Sequence, residues 1–407
     1  MTTGPATASN KSALLQIRFQ KGLNWRGVAQ AKFWNMVSKD MSFGERHKER
    51  TVAVSPGNGG SPDFLTALAN RGPGTEVTFT LQVKSDYVIL SVEEKLFKTK
   101  NSLMIKSAIT DQLERKGKEH GMMISRRVWG ENGSALGRLT ATSTVTTATV
   151  TLRSKHQVKN FYKGMIVEAA SDDGSGQTPA AKRVGTLTVD SIDPPNAQVT
   201  FTVHADDGIG AIAASDYLFQ KNEYGQCWSG ILGWCPTTAP TTGDYFLGID
   251  RSAYGDTQRL AGFRGSVARA DKSSNVANTL AEASPFGIMV DTIFVAPTDY
   301  AKWMDEMGNN RQQAEVTSKT VGVSFKGVVV HTPSGDTTVL SEPMCPEGVW
   351  VGTNMDNWKV LSIGEIPTMP GPSEWMKEAT ADARQARLAS YACLDCEDPG
   401  ANVVGTW

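Results

Sequence analysis

The 407-residue sequence predicts an α+β fold in which β-structure outweighs helix. Three patterns support this prediction. A helical repeat of apolar residues covers 101–128, and two strand-like arms flank a stretch bounded by Gly and Pro within 51–84. A region rich in Thr and Val, with strand propensity and no helical repeat, follows at 138–222. The predicted fold therefore combines one long helix with several groups of strands.

The long helix is the most distinctive predicted element. Apolar residues and glycines fall at steps of three or four along one face: Ile105, Ile109, Leu113, Gly117, Gly121, Ile124 and Val128. Arg126 and Arg127 suit the negative end of the helix dipole. Gly117 and Gly121 each cost about 1 kcal/mol of helix stability relative to Ala. This pair predicts either the close approach of another backbone or a hinge.

Residues 51–84 predict a long hairpin with an extension at its tip. Thr51–Ser55 forms one arm, and residues 77–83 alternate between apolar and polar side chains in the other. The stretch between the arms is too long for a tight turn. Its side chains Phe64, Leu65 and Leu68 make it too apolar for a plain solvent loop, so we expect them to pack on a neighbouring subunit.

Residues 1–50 predict a basic N-terminal arm. Residues 11–50 contain nine Lys and Arg against three acidic residues, interleaved with aromatic side chains that include Trp25, Phe33 and Trp34. Basic charge combined with aromatics can indicate nucleic-acid binding. An arm that lies on a neighbouring subunit or domain explains the aromatics at least as well, and we favour that interpretation.

The rest of the chain divides where the composition changes. Residues 85–137 contain a strand and the long helix. Residues 138–222 contain short strands separated by Gly- and Pro-rich turns, which predicts a small β-barrel inserted into the main domain. Residues 223–368 have a mixed α/β pattern, with a buried strand at 291–297 followed by a helix. Residues 369–407 end in a predicted last strand.

Composition and motifs argue against an enzyme. With 41 basic and 42 acidic residues, the chain is not a nucleic-acid binder by net charge, and no apolar run reaches the roughly 20 residues of a membrane span. The five histidines are scattered. The single C-x-x-C at Cys393 and Cys396 lacks the further ligands of a zinc site and the helix start of a redox site. We expect no catalytic residue, no metal site and no cofactor.

The order of these parts resembles the major capsid proteins of tailed bacteriophages with the Hong Kong 97 (HK97) fold. The resemblance rests on the basic arm, the hairpin, the strand before the long helix, the segment DTIFVAPTDYAKW and the strands that end in VWVGTNMDNWKVLSIGEIP. It implies that 51–84 is the extended loop and that 101–128 is the spine helix of a peripheral domain (85–137). It also implies an axial domain at 223–368 and a return to the peripheral domain at 369–407. The insertion at 138–222 departs from the minimal fold.

The resemblance implies a coat protein that assembles as pentamers and hexamers into an icosahedral head around double-stranded DNA. Assembly would occur in the host cytoplasm, and the product would be part of the virion. The implied partners are other copies of the chain, a scaffolding protein, a portal and DNA bound without specificity; a decoration protein stays open. No membrane partner is implied. An encapsulin-like compartment shell and a phage tail or other β-rich protein, such as a hydrolase, are the alternatives.

In one branch of this family a lysine of the extended loop is linked covalently to an asparagine of a neighbour. The hairpin of this chain contains no lysine before Lys84, which lies at its base. The resemblance therefore does not extend to that covalent link, and we expect a shell held together by non-covalent contacts.

Overall fold

The computed structural model describes residues 31–94 (without 56, 58 and 71), 116–130 (without 118), 133, 135–140, 149–174, 182–202, 212–265 (without 244), 271–307, 312–317, 324–332, 335–366, 376–378 and 381–407. For those residues of 307–326 that are included, only the backbone is described. The helices of the described part are α1 (Lys32–Met36), α2 (Phe64–Ala69), α3 (116–128, without 118), α4 (Ile231–Trp234), α5 (Thr257–Ala261), α6 (Lys272–Ala283) and α7 (Pro297–Met307). Short 3₁₀ turns occupy Lys155–Asn160, Arg251–Tyr254, Ser284–Phe286, Met355–Asn357 and Pro399–Ala401.

The strands of the described part form five sheets. In the first half of the chain they are β1 (Ser38–Asp40), β2 (His47–Ser55), β3 (Thr75–Gln82), β4 (Lys84–Glu93), β5 (Gly137–Arg138), β6 (Thr149–Thr151), β7 (Ile166–Ala170), β8 (Leu187–Asp193), β9 (Gln198–Thr202) and β10 (Tyr217–Gln220). In the second half they are β11 (Tyr245–Phe246), β12 (Ile249–Asp250), β13 (Phe263–Arg264), β14 (Thr292–Val295), β15 (Gln312–Thr317), β16 (Ser324–Thr332), β17 (Gly335–Ser341), β18 (Val349–Thr353), β19 (Trp358–Ser362), β20 (Met376–Lys377), β21 (Ala383–Cys396) and β22 (Val403–Thr406).

A five-stranded sheet carries the described part of the long helix. Its strands run in the order β1-β19-β21-β20, and β4 pairs antiparallel with β21 from Lys84–Ala392 to Glu93–Ala383. Helix α3 is the C-terminal part of the predicted 101–128 helix; residues 101–115 and 118 lie outside the described residues. His120 of α3 lies 3.0 Å from the hydroxyl of Ser390 in β21. The predicted apolar face of α3 is therefore the face that packs on this sheet.

A seven-stranded sheet forms the second layer of the main body, in the order β13-β22-β18-β14-β17-β16-β15. Strand β14 is parallel to β17 and antiparallel to β18, and all four of its residues are buried. Helices α6 and α7 pack on the sheet. The Trp350 indole of β18 donates to the Asn275 side chain of α6 at 3.2 Å, and the Gly348 amide donates to Asp299 of α7 at 2.7 Å.

These two sheets draw their strands from several of the predicted segments. Strand β19 lies within the predicted 223–368 domain but pairs with β21 of the five-stranded sheet. Within 369–407, β21 belongs to that same sheet, whereas β22 lies between β13 and β18 of the seven-stranded sheet. The 3₁₀ turn at Pro399–Ala401 lets the chain pass from one sheet to the other. The last residues therefore complete the second layer and do not remain in the first.

The 138–222 insertion has its own sheet and its own core. Six strands run in the order β5-β10-β7-β8-β9-β6, around a separate cluster of buried apolar residues that includes Val167, Val199 and Leu218. The two outer strands meet, since Leu139 and Leu152 form a bridge and the Arg153 amide donates to the Arg138 carbonyl at 2.7 Å. The insertion is therefore β-structure with a core of its own, and the small β-barrel stays a prediction.

Helix α1 is the point at which the layers of the main body meet. The Phe33 ring lies 6.0 Å from the ring of Trp129 after α3, 5.5 Å from Phe294 of β14 and 5.7 Å from Trp358 of β19, all in edge-to-face arrangements. Aromatic pairs of this geometry add to the energy of burial alone. One short helix therefore connects both sheets to the end of the long helix.

Candidate subunit interface

The hairpin predicted for 51–84 is present, and its tip contains a short helix. Strands β2 and β3 pair antiparallel from His47–Gln82 to Ser55–Thr75, with an irregularity between Ala53 and Ser55. Helix α2 lies between them and is capped by Asp63, whose carboxylate accepts from the Thr66 amide at 2.9 Å and from the Thr66 hydroxyl at 2.7 Å. These bonds lower the pKa of Asp63 below its ordinary value. The N-cap fixes a turn of helix that has no support from the body of the chain.

The apolar side of this tip faces solvent in the single chain. Phe64, Leu65 and Leu68 are 76%, 70% and 45% exposed, and none of the six residues of α2 is buried. We call these three side chains the tip cluster. Clustered apolar exposure of this kind is typical of a surface that another protein covers.

The arms of the hairpin, in contrast, are fixed to the body. Val77, Phe79 and Leu81 of β3 are buried, and the Phe79 ring lies 5.4 Å from Trp234 and 6.0 Å from Phe246. The opposite face of the arms is polar and exposed. The tip cluster is therefore carried by a rigid support and not by a loose loop.

A buried carboxylate adds a second attachment for the arms. Asp395 of β21 is fully buried. Its carboxylate accepts hydrogen bonds from the Lys48 ammonium of β2 at 3.0 Å and from Arg50 Nε at 3.0 Å. The second carboxylate oxygen also contacts the Arg50 guanidinium. This pairing raises the pKa of Arg50. Charge-assisted and partly bidentate bonds of this type are the stronger class of hydrogen bond. The direction of the hairpin is thus set by the five-stranded sheet.

The aromatic residues predicted for the N-terminal arm require a correction. Trp25 lies outside the described residues. Phe33 and Trp34 are buried in the core of their own chain, where Phe33 meets the rings described above and Trp34 meets Trp228 at 6.3 Å. They therefore cannot lie on a neighbouring subunit. The reason is that segments distant in the sequence fold back against α1 and pack on these two side chains.

The two glycines of the predicted hinge lie on the buried side of α3. Gly117 and Gly121 are both buried, together with His120 and Ile124. Burial of the imidazole lowers the pKa of His120 to about 4. At the end of α3, Arg126 and Arg127 bind Glu223 at 2.9 and 3.1 Å, and Arg127 also contacts Asp86 of β4. The end of the helix is therefore fixed by ion pairs, and the two glycines lie about 1.4 and 2.5 turns before Arg126.

The cysteines and histidines of the described part do not assemble a chemical site. Cys393 and Cys396 lie on one strand at an odd spacing, so their side chains point to opposite faces of the sheet. All five cysteines are buried and unpaired, and burial raises the pKa of Cys393 to about 12. Among the described residues, no three His, Cys, Asp or Glu side chains are placed to share a metal ion.

One cavity of about 540 Å³ lies between the base of the hairpin and the body. Its walls include Thr78 and Gln82 of β3, Lys84 of β4, Trp228 and Cys393. The Lys84 ammonium donates to the Gly225 carbonyl at 3.3 Å across it. Among the described residues of the wall, the titratable side chains are those of Lys84, Cys227 and Cys393.

Sequence reasoning missed two further exposed apolar surfaces. Tyr87 and Ile89 of β4 are about half exposed, and Phe286 and Met289 project from the turn before β14. For β4 a signal was present, since residues 87–90 read Tyr-Val-Ile-Leu without a polar residue on either face. Within the part of the chain that the structure describes, no helix combines the length and apolar character needed to cross a bilayer.

Comparisons with known proteins gave matches among solved structures. No protein-family model matches it, and no curated protein matches its sequence. Among solved structures, the chain is similar to the capsid asymmetric unit of cyanophage A-1(L), at 13% identity and a TM-score of 0.47, covering 100% of this chain and 94% of that chain. It is also similar to a capsid chain of an empty GTA particle, at 9% identity and a TM-score of 0.44, covering 93% and 90%. The SrpI encapsulin complex of Synechococcus elongatus PCC 7942 is similar at 7% identity and a TM-score of 0.44, also covering 93% of this chain and 88% of that chain.

Proposed function

We propose that this chain is the major capsid protein of a tailed bacteriophage with an HK97-like fold. In this proposal, copies of the chain assemble as pentamers and hexamers into the icosahedral head that encloses double-stranded DNA. The observation that carries the proposal is the tip cluster. Three large apolar side chains stand on a capped helix at the end of a rigid hairpin, in a position where their own chain does not cover them.

The energy available at this surface is sufficient for repeated, reversible contacts. Burying a side chain such as Phe64, Leu65 or Leu68 is worth roughly 1.5–3 kcal/mol. Each subunit of a closed shell repeats such a contact, so modest individual contacts add up over the particle.

The partners follow from the same proposal. The chain binds copies of itself, a scaffolding protein guides assembly, and a portal joins the shell; the presence of a decoration protein stays open. DNA is contacted without specificity, which suits a chain whose 41 basic and 42 acidic residues nearly cancel.

The test is electron microscopy of the purified protein, with and without a candidate scaffolding protein. We expect closed shells. Phe64→Asp should abolish them while leaving thermal unfolding of the subunit unchanged, because Phe64 is exposed in the single chain. Val184→Asp is the matched control, since Val184 is an apolar residue of the insertion with 79% exposure; it should assemble normally.

Three outcomes would contradict the proposal. Tubes in place of closed shells would indicate a tail protein, and native particles filled with an enzyme and lacking DNA would indicate an encapsulin-like compartment. Normal shells from Phe64→Asp would remove the tip cluster as the basis of the proposal.

A further inference from the structure

Strand β4 is the outer strand on one side of the five-stranded sheet. It pairs along its whole length with β21, from Lys84 to Glu93. Among the described residues, no backbone group bonds to the opposite edge of β4 between residues 85 and 93. Unpaired strand edges of this length are templates for pairing with another chain.

The hydrogen bonds of β21 show which residues of β4 face that free edge. In an antiparallel sheet both backbone groups of a residue point to the same side, and the side alternates along the strand. The Tyr391 carbonyl of β21 accepts from the Ile363 amide at 3.0 Å, so the backbone groups of Tyr391 point toward β19. The backbone groups of the preceding residue, Ser390, therefore point toward β4, where Ser390 lies opposite Asp86. At the other end, the Glu94 amide donates to the Asp382 carbonyl at 2.8 Å. Even-numbered residues of β4 therefore bond to β21, and Ser85, Tyr87, Ile89, Ser91 and Glu93 point their N–H and C=O groups outward.

The devices that usually protect such an edge are missing from the middle of β4. Residues 85–92 contain no lysine and no proline, and their one charged residue, Asp86, points inward and contacts Arg127. The side chains of Tyr87 and Ile89 are 53% and 52% exposed. The free edge is thus long, nearly uncharged and lined with apolar side chains.

We propose that this edge pairs antiparallel with the same edge of a second copy of the chain, about a two-fold axis through Ile89. This register places Ile89 opposite Ile89, Tyr87 opposite Ser91, and Ser85 opposite Glu93, so all five outward residues find a partner. A register shifted by two residues toward Val83 would place Glu93 opposite Val83. The Val83 amide already donates to the Arg46 carbonyl at 3.1 Å, so it is not available to a second copy.

Charge and geometry favour a second copy as the occupant. No like charges face each other across the seam, because Glu93 meets Ser85, and a parallel arrangement would bring Glu93 against Glu93. A two-fold axis normal to the sheet continues β21-β4 of one copy into β4-β21 of the other. The exposed side chains of Tyr87 and Ile89 from both copies then lie on one face, and α3 of both copies lies on the other. The inference rests on the proposed self-assembly, since a shell supplies the second copy.

Cysteine cross-linking tests the register. Residues that form a hydrogen-bonded antiparallel pair have Cα atoms about 5.5 Å apart, within the range of a disulfide. Assembled particles of Ile89→Cys, oxidised with diamide, should yield disulfide-linked dimers, and Tyr87→Cys particles about tenfold fewer, because Tyr87 lies four residues from its own copy. Particles that contain both Tyr87→Cys and Ser91→Cys subunits should regain the dimer. The five native cysteines are buried and give a low background.

A backbone substitution tests the hydrogen bonds themselves. Ile89→Pro removes one outward N–H and spares the bonds to β21, and proline is tolerated at strand edges whose N–H faces solvent. We expect a folded subunit with at least a tenfold loss of assembled particles, whereas Ile89→Thr, which keeps the N–H, should assemble normally.

The outcomes separate this inference from the proposed function. Shells that form normally while Ile89→Cys stays unlinked, or from Ile89→Pro at wild-type yield, would overturn the β4 pairing and leave the capsid proposal intact. A link between residue 89 and a different protein would overturn the second copy as occupant. Wild-type protein that stays monomeric and unlinked under all assembly conditions would overturn both.

Discussion

At the scale of single residues, Asp395 is a buried anchor of the β2 arm of the hairpin. It is fully buried and accepts hydrogen bonds from both Lys48 and Arg50. We expect Asp395→Asn to lower the free energy of unfolding by about 1.5–3 kcal/mol, because bonds to two charged donors are weakened at once. Urea unfolding of the soluble subunit measures this.

The control for Asp395 is a carboxylate of the same strand region. Glu397 pairs with Lys359 at 2.6 Å but is 39% exposed. Glu397→Gln should therefore cost less than about 1 kcal/mol. An equal decrease in the free energy of unfolding for both variants would show that burial does not make the Asp395 contacts more stabilising than those of Glu397.

A second residue, Glu342, should make stability depend on pH. Glu342 follows the last residue of β17, and its side chain is fully buried. The carboxylate accepts a hydrogen bond from the Phe33 amide at 3.0 Å. Burial raises the pKa of Glu342 from the ordinary 4.5 to about 7. The Glu342 carboxyl therefore binds its proton more tightly in the folded chain than in the unfolded chain. The contribution of Glu342 to stability is complete below about pH 4.5 and is lost as the pH rises toward 7.

Comparison with Glu342→Gln isolates this effect, because the buried histidines are common to both proteins. The variant should gain stability relative to the wild type between pH 4.5 and pH 7, by on the order of 3 kcal/mol. Urea unfolding at both pH values checks the change. A stability difference that is the same at both would show that Glu342 does not titrate in this interval.

At the scale of elements, we propose that Gly117 and Gly121 act as a hinge in α3. Both are buried on the side that faces the five-stranded sheet. We expect the double variant Gly117→Ala/Gly121→Ala to stiffen the helix and to impair assembly or expansion of the shell, since each Gly costs about 1 kcal/mol of helix stability relative to Ala. Electron microscopy of particles before and after expansion measures this.

The control for the glycines is Met122→Ala, on the exposed side of the same helix. It should assemble and expand normally. Unfolding of the double variant distinguishes a hinge from simple overpacking, because added methyl groups without room for them would destabilise the subunit by about 1–3 kcal/mol. A double variant that assembles and expands like the wild type would contradict the hinge.

At the scale of the whole molecule, we expect particles held together without covalent links. Residues 51–83 of the hairpin contain no lysine. At its base, the Lys48 ammonium donates to Asp395 and the Lys84 ammonium donates to the Gly225 carbonyl. All five cysteines are buried within the chain. Mature particles boiled in SDS with reductant should release one band near 43.8 kDa. A ladder of multimers would refute this.

Features that depend on neighbouring residues in the sequence were predictable. Alternation in β3 and the Gly- and Pro-bounded stretch before it predicted the hairpin, and the apolar residues of that stretch predicted the tip cluster. The reason is physical: an exposed extension is defined by its own composition, because it has few partners elsewhere in its chain. The repeat over 116–128 likewise predicted which face of α3 is buried, since helical geometry alone puts residues three and four apart on one side.

Features that depend on distant segments were decided only by the tertiary structure. Phe33 and Trp34 share the composition of an exposed arm, yet residues 129, 294 and 358 return to enclose Phe33, and Trp228 packs on Trp34. The assignment of β19, β21 and β22 to two different sheets is of the same kind, because strand patterns record burial but not the partner strand. The free edge of β4 also needed the fold, since an edge exists only once the neighbours on its other side are known. Local sequence thus determined the elements and the exposed tip, and long-range pairing determined which other apolar surfaces remained exposed.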